Sequence, residues 1–442
     1  MKILTYLPRS IDTTLITITA LLLFTLPLPE TIALRNALLL TGSILGAIQL
    51  SKLKTFANKR FASCIFALLL LLAWVLLHFF FIGQNRLEQL YELKNEWFRS
   101  FTAAIVGIST GTVLVLSERA SREKYTRLLI IGLSGTTIIY LTRYAFEIIK
   151  ASQLLFDFYF IPYREKPALV VFCSMFFIAM LLKIDTSPHK SRLKLVIPVL
   201  LAALAPIVFF LSNTKNGFLS ILASLISLIV INRHELKNIE KGRNQNLFIA
   251  IAIAPIVIAV AFHFVSNPAW KYIFSDIKVA IDIENYSTWK NRLANPMPVN
   301  EYGIKVHGST YDRVAWATAG IALIKENPYG HGLINHSFGA LAKQKWSDFY
   351  EPNGKNRGAT HSGWIDLTLG IGVPGILLIF SLFLISYPLN EKIPFWDKYI
   401  KIASPVLFLI FLTTEVCSDH YLNFLFLYLG ICTGLLTKRN AE

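Results

Sequence analysis

The chain has 442 residues, 54% of them hydrophobic and 16% charged, with a formal net charge of +16 and a mean hydropathy of +0.52. A soluble domain carries about 25% charged residues, whereas here apolar runs of about 20 residues, enough to cross ~30 Å of hydrocarbon, recur from end to end. A soluble globular protein is excluded. The positive balance is an orientation signal and not a nucleic-acid footprint, because Lys and Arg collect in the short connections between apolar runs.

In chain order the pattern predicts about twelve transmembrane helices, near 11–28, 33–50, 61–82, 101–117, 127–149, 166–184, 195–212, 216–231, 247–265, 364–386, 399–414 and 419–436. The first run lacks a small-residue cleavage site and leads straight into the second, so it reads as a span and not as a signal peptide. After the third span, "QNRLEQLYELKNEWFRSF" spaces Leu87, Leu90, Tyr91, Leu93, Trp97 and Phe98 roughly as one helix face with charges between, which predicts an interfacial amphipathic helix. The N-terminus, "KLKTFANKR", "ERASREKYTR", "HKSRLK", "NRHELKNIEKGR", "NEKIPFWDK" and "TKRNAE" fall on one side of the membrane. They hold more than twice as many Lys and Arg as the short connections opposite, so both termini are expected in the cytoplasm.

Residues 266–363, between helices 9 and 10, are then a large outer loop. Nearly a hundred residues is far beyond an ordinary connection, and such loops are usually functional. This one is rich in Asn, Gly and Pro and carries Trp270, Trp289, Trp316, Trp346 and Tyr350. The expected fold is all-α, a polytopic integral membrane protein forming a single membrane domain over 1–442, with 266–363 as its cap. No internal repeat or low-complexity segment is visible. Cys64, Cys173, Cys417 and Cys432 lie in or beside apolar runs without CxxC spacing, which supports neither a disulfide framework nor a zinc site.

Ionisable groups at membrane depth are costly, and each is a candidate functional residue. Arg143 lies in "TTIIYLTRYAFEIIK", Lys215 in "FFLSNTKNGFLSILASL", Arg313 in "STYDRVAWATAGIALIKENPYGHG", and His361 closes the long loop in "THSGWIDLTLGIGVPG". By the span order all four approach the outer face. Each also has an ordinary reading: Arg143 paired with Glu147 at i+4, Lys215 a loop lysine, Arg313 paired with Asp312, and His361 a polar helix start capped by Thr360 or Ser362.

Taken together, three cations and an imidazole at an outer lipid–water boundary suit one chemistry. Arg as a fork and Lys as a point charge hold a phosphate or diphosphate. A histidine with an ordinary pKa near ~6.5 is neutral at pH 7 and accepts a proton. That combination describes group transfer from a lipid-linked phosphoryl donor to a hydroxyl. Aromatic loop residues also suit stacking on sugar faces. The outer carboxylates Asp276, Asp282, Glu284, Glu301, Asp312, Asp348 and Glu351 form no DxD pair, and His307, His331 and His336 form no obvious ligand set. Cationic side chains, not a divalent metal, are therefore expected to carry the leaving group, with no cofactor. No GxSxG or P-loop is present.

At these residues the chain resembles the O-antigen ligase family, within the wider superfamily of O-antigen polymerases and O-oligosaccharyltransferases. The resemblance runs over the whole span pattern and is carried locally by three stretches. In "DRVAWATAGIALIKENPYGHGL" it rests on Arg313, Pro328, Gly330 and Gly332, with the arginine ahead of an amphipathic helix. In "THSGWIDLTLGIGVPG" it rests on His361, Gly370, Gly372 and Gly375. In "NTKNGFLSILASL" Lys215 stands before Gly217 where many members have arginine.

The resemblance implies a GT-C-like, inverting, metal-independent glycosyltransferase of the bacterial inner membrane. It would move O-antigen from undecaprenyl diphosphate to a sugar hydroxyl of lipid A–core on the periplasmic side. His361 would be the base, and Arg313, Lys215 and Arg143 would hold the diphosphate. An O-antigen polymerase or a protein O-oligosaccharyltransferase is the nearest alternative. A secondary transporter or lipid flippase is the alternative of another class, against which the absence of corresponding halves counts.

Overall fold

The computed structural model describes residues 9–51, 58–83, 85–153, 155, 166–185, 192–236, 258, 261, 265, 268–333, 338–350, 358–388, 393–414 and 419–437. Among them the protein is all-helical, with one isolated antiparallel bridge between Val299 and Lys305. The first half comprises α1 (Arg9–Thr25), α2 (Ile32–Ser51), α3 (Lys59–Leu77), α4 (Arg86–Glu92), α5 (Phe98–Leu116), α6 (Arg119–Ala151), α7 (Ser174–Asp185), α8 (Arg192–Leu211) and α9 (Lys215–Leu236). The second half comprises α10 (Ile273–Ile281), α11 (Gly308–Glu326), α12 (Phe338–Lys345), α13 (Gly363–Ser386), α14 (Pro394–Thr413) and α15 (Asp419–Gly434). Six helical stretches among the described residues are long and apolar enough to cross a membrane, and Ser10–Thr25 of α1 and Val196–Leu211 of α8 are shorter apolar helices. Eleven of the twelve expected spans coincide with helices. The ninth, 247–265, lies outside the described residues apart from isolated positions.

Small residues let the bundle close. α5 and α15 meet through Gly107 and Gly111 on one helix and Gly430 and Gly434 on the other. A Cβ on Gly111 would lie 2.3 Å from the Ile431 carbonyl oxygen, and one on Gly434 would lie 2.1 Å from that of Ile108. This is the small-xxx-small packing by which helices approach in lipid, where water expulsion supplies no drive. Gly111→Val should destabilise the purified protein by about 1–3 kcal/mol or more, read as a fall in thermal midpoint in detergent; an unchanged midpoint would contradict this packing. At the end of the bundle away from the cap, Lys398 Nζ reaches Asp185 Oδ2 at 3.1 Å and Asn232 Oδ1 at 3.1 Å, and Asn232 donates to Asp185 Oδ1 at 2.9 Å. The polar set ties α7, α9 and α14 together.

α13 is broken at Gly372 (φ 71°, ψ 177°), just before Pro374. The break leaves carbonyls and an amide without helical partners, which in lipid is tolerated only if protein supplies them. The turn after α11 does so. His331 N donates to the carbonyls of Leu369 (2.9 Å) and Gly370 (3.0 Å), Gly332 N donates to Gly370 (3.2 Å), and Val373 N donates to Pro328 (2.8 Å). Trp74 Nε1 donates to Ile371 at 2.7 Å. The approach needs glycine on both sides, since a Cβ on Gly330 (φ +87°) would sit 2.2 Å from the Gly370 oxygen. "PYGHG" and "LGIGVPG" are thus one structural unit. It fixes the cap to the membrane helices.

The stretch 86–116 is nearly continuous helix, interrupted only by a π-type turn at Leu93–Trp97. Leu87, Leu90, Tyr91 and Phe98 are exposed, as the amphipathic pattern predicts, but Trp97 is buried against Phe426 of α15. Gln89, fully buried, accepts from Leu333 N at 2.6 Å and so ties α4 to the cap. The cap has its own core of Trp289, Tyr311, Phe338 and Phe349, with Trp346 packed edge-on to Trp289 at 4.9 Å between ring centroids. The expectation that the loop aromatics offer sugar-stacking faces is corrected here for Trp289, which is buried in this core. Burying these rings supplies the apolar contact that holds the cap together.

Candidate active site

The heads of two membrane helices are brought together by one short segment at the end of α14. Asn216, the second residue of α9, donates to the Thr413 carbonyl at 2.7 Å and to Thr414 Oγ1 at 2.9 Å. Gly363 N, at the start of α13, donates to the Thr414 carbonyl at 3.0 Å. Lys215 and His361 therefore stand one and two residues from groups that share Thr414. α11 closes the third side, where the Cβ position of Gly320 lies 2.8 Å from Thr360 Cγ2 and 2.7 Å from Ile365 Cγ2.

His361 has φ 60°, in the left-handed region that few non-glycine residues adopt, a conformation that needs support from its surroundings. Asp366, buried in the first turn of α13, provides it by accepting from both Thr360 N and Thr360 Oγ1 at 2.9 Å. Ser362 is the N-cap of α13, without a side-chain capping bond. The imidazole stacks on the Trp316 ring with centroids 5.3 Å apart and planes 6° apart. Trp316 is held in turn by donating Nε1 to the Trp289 carbonyl at 3.0 Å.

Arg313 lies inside α11, in its second turn, rather than ahead of the helix as the motif suggested. It acts electrostatically on Lys215 and on His307. The adjacent Asp312 forms its ion pair with Arg292, at 2.7 Å. Burial raises the Asp312 carboxyl above its ordinary range, against the pull of Arg292, His361 and Arg313. Burial also lowers His307, with Lys215 and Arg313 adding to the effect and Asp276 opposing it; that imidazole is neutral at pH 7. His307 N is fixed by Asp276 Oδ2 at 3.0 Å, and Asp276 also accepts from Asn300 Nδ2 at 3.0 Å.

Of the four residues singled out from the sequence, Lys215, Arg313 and His361 come together. For Arg143 the described contacts are with its own helix. It pairs with Glu147 at 2.8 Å and lies over the Phe146 ring at 5.6 Å on α6. Sequence reasoning missed Arg292, His307 and Trp316 as members of this group and weighed Asp312 as a partner for its neighbour and as one of the outer carboxylates. Asp312 and Trp316 do share the i,i+4 spacing of one helix face, a signal that was present. Arg292 sits in irregular backbone, where no periodicity points at it. Among the described residues no group of three or more His, Cys, Asp or Glu is placed to hold a metal ion.

The segment from α8 to α13 contains every member of this cluster. Residues 199–380 match the O-Antigen ligase family. The match takes in the head of α9, the whole cap, the turn that repairs the broken helix, and His361. Over this segment, less than half of its length, the chain is similar to that family, and six helical stretches among the described residues are long and apolar enough to cross a membrane. A search of the curated proteins finds no match.

Proposed function

We propose that the chain is an O-antigen ligase, transferring O-antigen polysaccharide from undecaprenyl diphosphate to a sugar hydroxyl of lipid A–core at the periplasmic face of the inner membrane. The observation that carries this reading is the meeting of His361 with Lys215 and Arg313 at the cap end of the bundle, inside the segment that matches the family. Like charges held close repel one another. An anionic diphosphate relieves that repulsion, so the pair favours such a ligand before any chemistry begins.

In the reaction, an imidazole nitrogen of His361 takes the proton of the acceptor hydroxyl. The hydroxyl oxygen forms its bond to the anomeric carbon as the bond from that carbon to the phosphate oxygen breaks. The electron pair departs on the lipid diphosphate, whose growing charge is met by Arg313 and Lys215, with Arg292 at hand. Attack opposite the leaving group inverts the anomeric centre. Arg143, engaged with Glu147, is left out of this contact set. Both substrates have lipid tails, which suits a site at the heads of membrane helices under a cap.

Loss of the gene product, followed by inspection of the lipopolysaccharide, tests this reading. A ligase defect leaves intact core without attached chains and an excess of lipid-linked polymer. Attachment of single repeats instead means a polymerase, and loss of glycan from protein alone means an O-oligosaccharyltransferase.

A further inference from the structure

Lys215 carries its charge on a flexible four-carbon stem, so the reach of the ammonium depends on the backbone beneath it. That backbone is held on both sides. Before the lysine, Thr214 N donates to the Phe209 carbonyl at 2.9 Å, and Ser212 Oγ and Thr214 Oγ1 lie 2.6 Å apart. Asn213, between them, takes a left-handed φ of 49°. These contacts tie the turn to α8. After the lysine, Asn216 Nδ2 donates to the Thr413 carbonyl at 2.7 Å and to Thr414 Oγ1 at 2.9 Å. Those two bonds tie it to α14.

The second tie uses groups that helix ends leave open. The Thr413 carbonyl closes α14, whose chain becomes extended at Thr414 (φ −140°, ψ 146°). The Thr414 carbonyl then accepts from Gly363 N, the first amide of α13, at 3.0 Å. An amide side chain suits the position because its NH2 group offers two donors, and both are spent here. Asn216 thus joins the residue after Lys215 to the end of α14 and, through Thr414, to the helix that starts two residues after His361.

Resting on the reading of Lys215 as a ligand of the diphosphate, we propose that Asn216 is a positioning residue, whose two hydrogen bonds to the end of α14 set the reach of Lys215 against the position of His361. It acts through its neighbour and touches neither substrate. A plain helix tie would give stability alone, and α9 supplies the comparison. Near its other end Asn232 donates to Asp185 Oδ1 at 2.9 Å and accepts from Lys398 of α14 at 3.1 Å. Both asparagines bind α9 to α14, but only Asn216 stands beside a candidate ligand of the donor.

The test uses the full chain in lipid nanodiscs with undecaprenyl diphosphate as the probe. Its affinity is measured by equilibrium titration, and each variant's thermal midpoint is measured alongside. Asn216→Ala should weaken donor affinity roughly 10-fold, the scale of coupling between groups in contact. Thr414→Val keeps the shape, removes one of the two acceptors, and should weaken affinity in the same direction by a smaller factor. Asn232→Ala should lower the thermal midpoint yet leave affinity within about twofold, as for a distant site. The double variant decides. If Asn216 acts through the lysine, Asn216→Ala/Lys215→Ala binds no more weakly than Lys215→Ala alone. Factors that multiply in the double variant, unchanged affinity in both Asn216→Ala and Thr414→Val, or an equal loss in Asn232→Ala would overturn the assignment. Should Asn216→Ala fail to fold, Thr414→Val carries the same cycle with Lys215→Ala. Unchanged affinity in Lys215→Ala is a separate result, which removes the lysine from the site and the proposal with it.

Discussion

His361→Gln, in protein that folds as well as the wild type, should lose roughly 10²–10⁴-fold in transfer rate, the usual worth of a positioned general base. Donor affinity should change little, because Arg313, Lys215 and Arg292 remain. The glutamine keeps polarity and hydrogen-bonding capacity but cannot take up a proton at neutral pH. It separates chemistry from architecture. The architectural contribution is real: the left-handed turn at His361 is secured by Asp366 and Thr360, and the ring packs on Trp316. If packing and turn geometry were all the residue supplied, His361→Gln would cost thermal stability and leave kcat near normal. His361→Ala should show both losses, because it also removes the stacked ring. Comparing the two variants by kcat, donor affinity and thermal midpoint assigns each part.

Arg313→Ala should damage binding and rate together. In the proposed mechanism the guanidinium meets the diphosphate in the ground state and its additional charge in the transition state, so kcat/KM should fall by roughly 10²–10³-fold, as when one donor to a developing anion is removed. Arg313→Lys should rescue only part of this, since a point charge does not replace a two-pronged donor. Lys215 behaves differently. Lys215→Ala should weaken donor binding, while Lys215→Arg should retain most activity, because the position at the head of α9 needs charge more than shape. A donor-affinity titration of the four variants checks the set. Arg313→Ala with unchanged donor affinity and unchanged rate would remove Arg313 from the site.

The membrane helices were legible because each apolar run must satisfy its own backbone in lipid, and length then fixes the element. That argument predicted α1, α2, α5, α8, α13 and α15 to within three residues at either end. It was silent on the cap, where α10, α11 and α12 are short or embedded among irregular backbone. There, positions are set by tertiary contacts such as Asp276 with His307 and Tyr350 N with the Lys290 carbonyl.

The same division runs through the site. Lys215 and His361 stood out because a charge and an imidazole border apolar runs, and Arg313 because it begins an amphipathic stretch. Arg143 stood out for the same reason, yet Glu147 one turn away takes its charge. Depth in the membrane therefore nominates a residue but does not say which way it points. Glycines were noticed as motif letters and earn their physical meaning only in three dimensions. Gly330 and Gly372 let the turn after α11 supply the hydrogen bonds that the break in α13 leaves open.

The central claim is a transfer from a lipid diphosphate to lipid A–core carried out by this chain alone, with His361 as the base. Purified protein in lipid, given undecaprenyl-diphosphate-linked O-antigen and lipid A–core, measures it directly by the appearance of glycan on the acceptor. The account predicts core-attached glycan that forms in EDTA, and its near-complete loss in His361→Gln. Glycan that only lengthens the lipid-linked donor, transfer that needs added divalent metal, or full transfer by His361→Gln would contradict it.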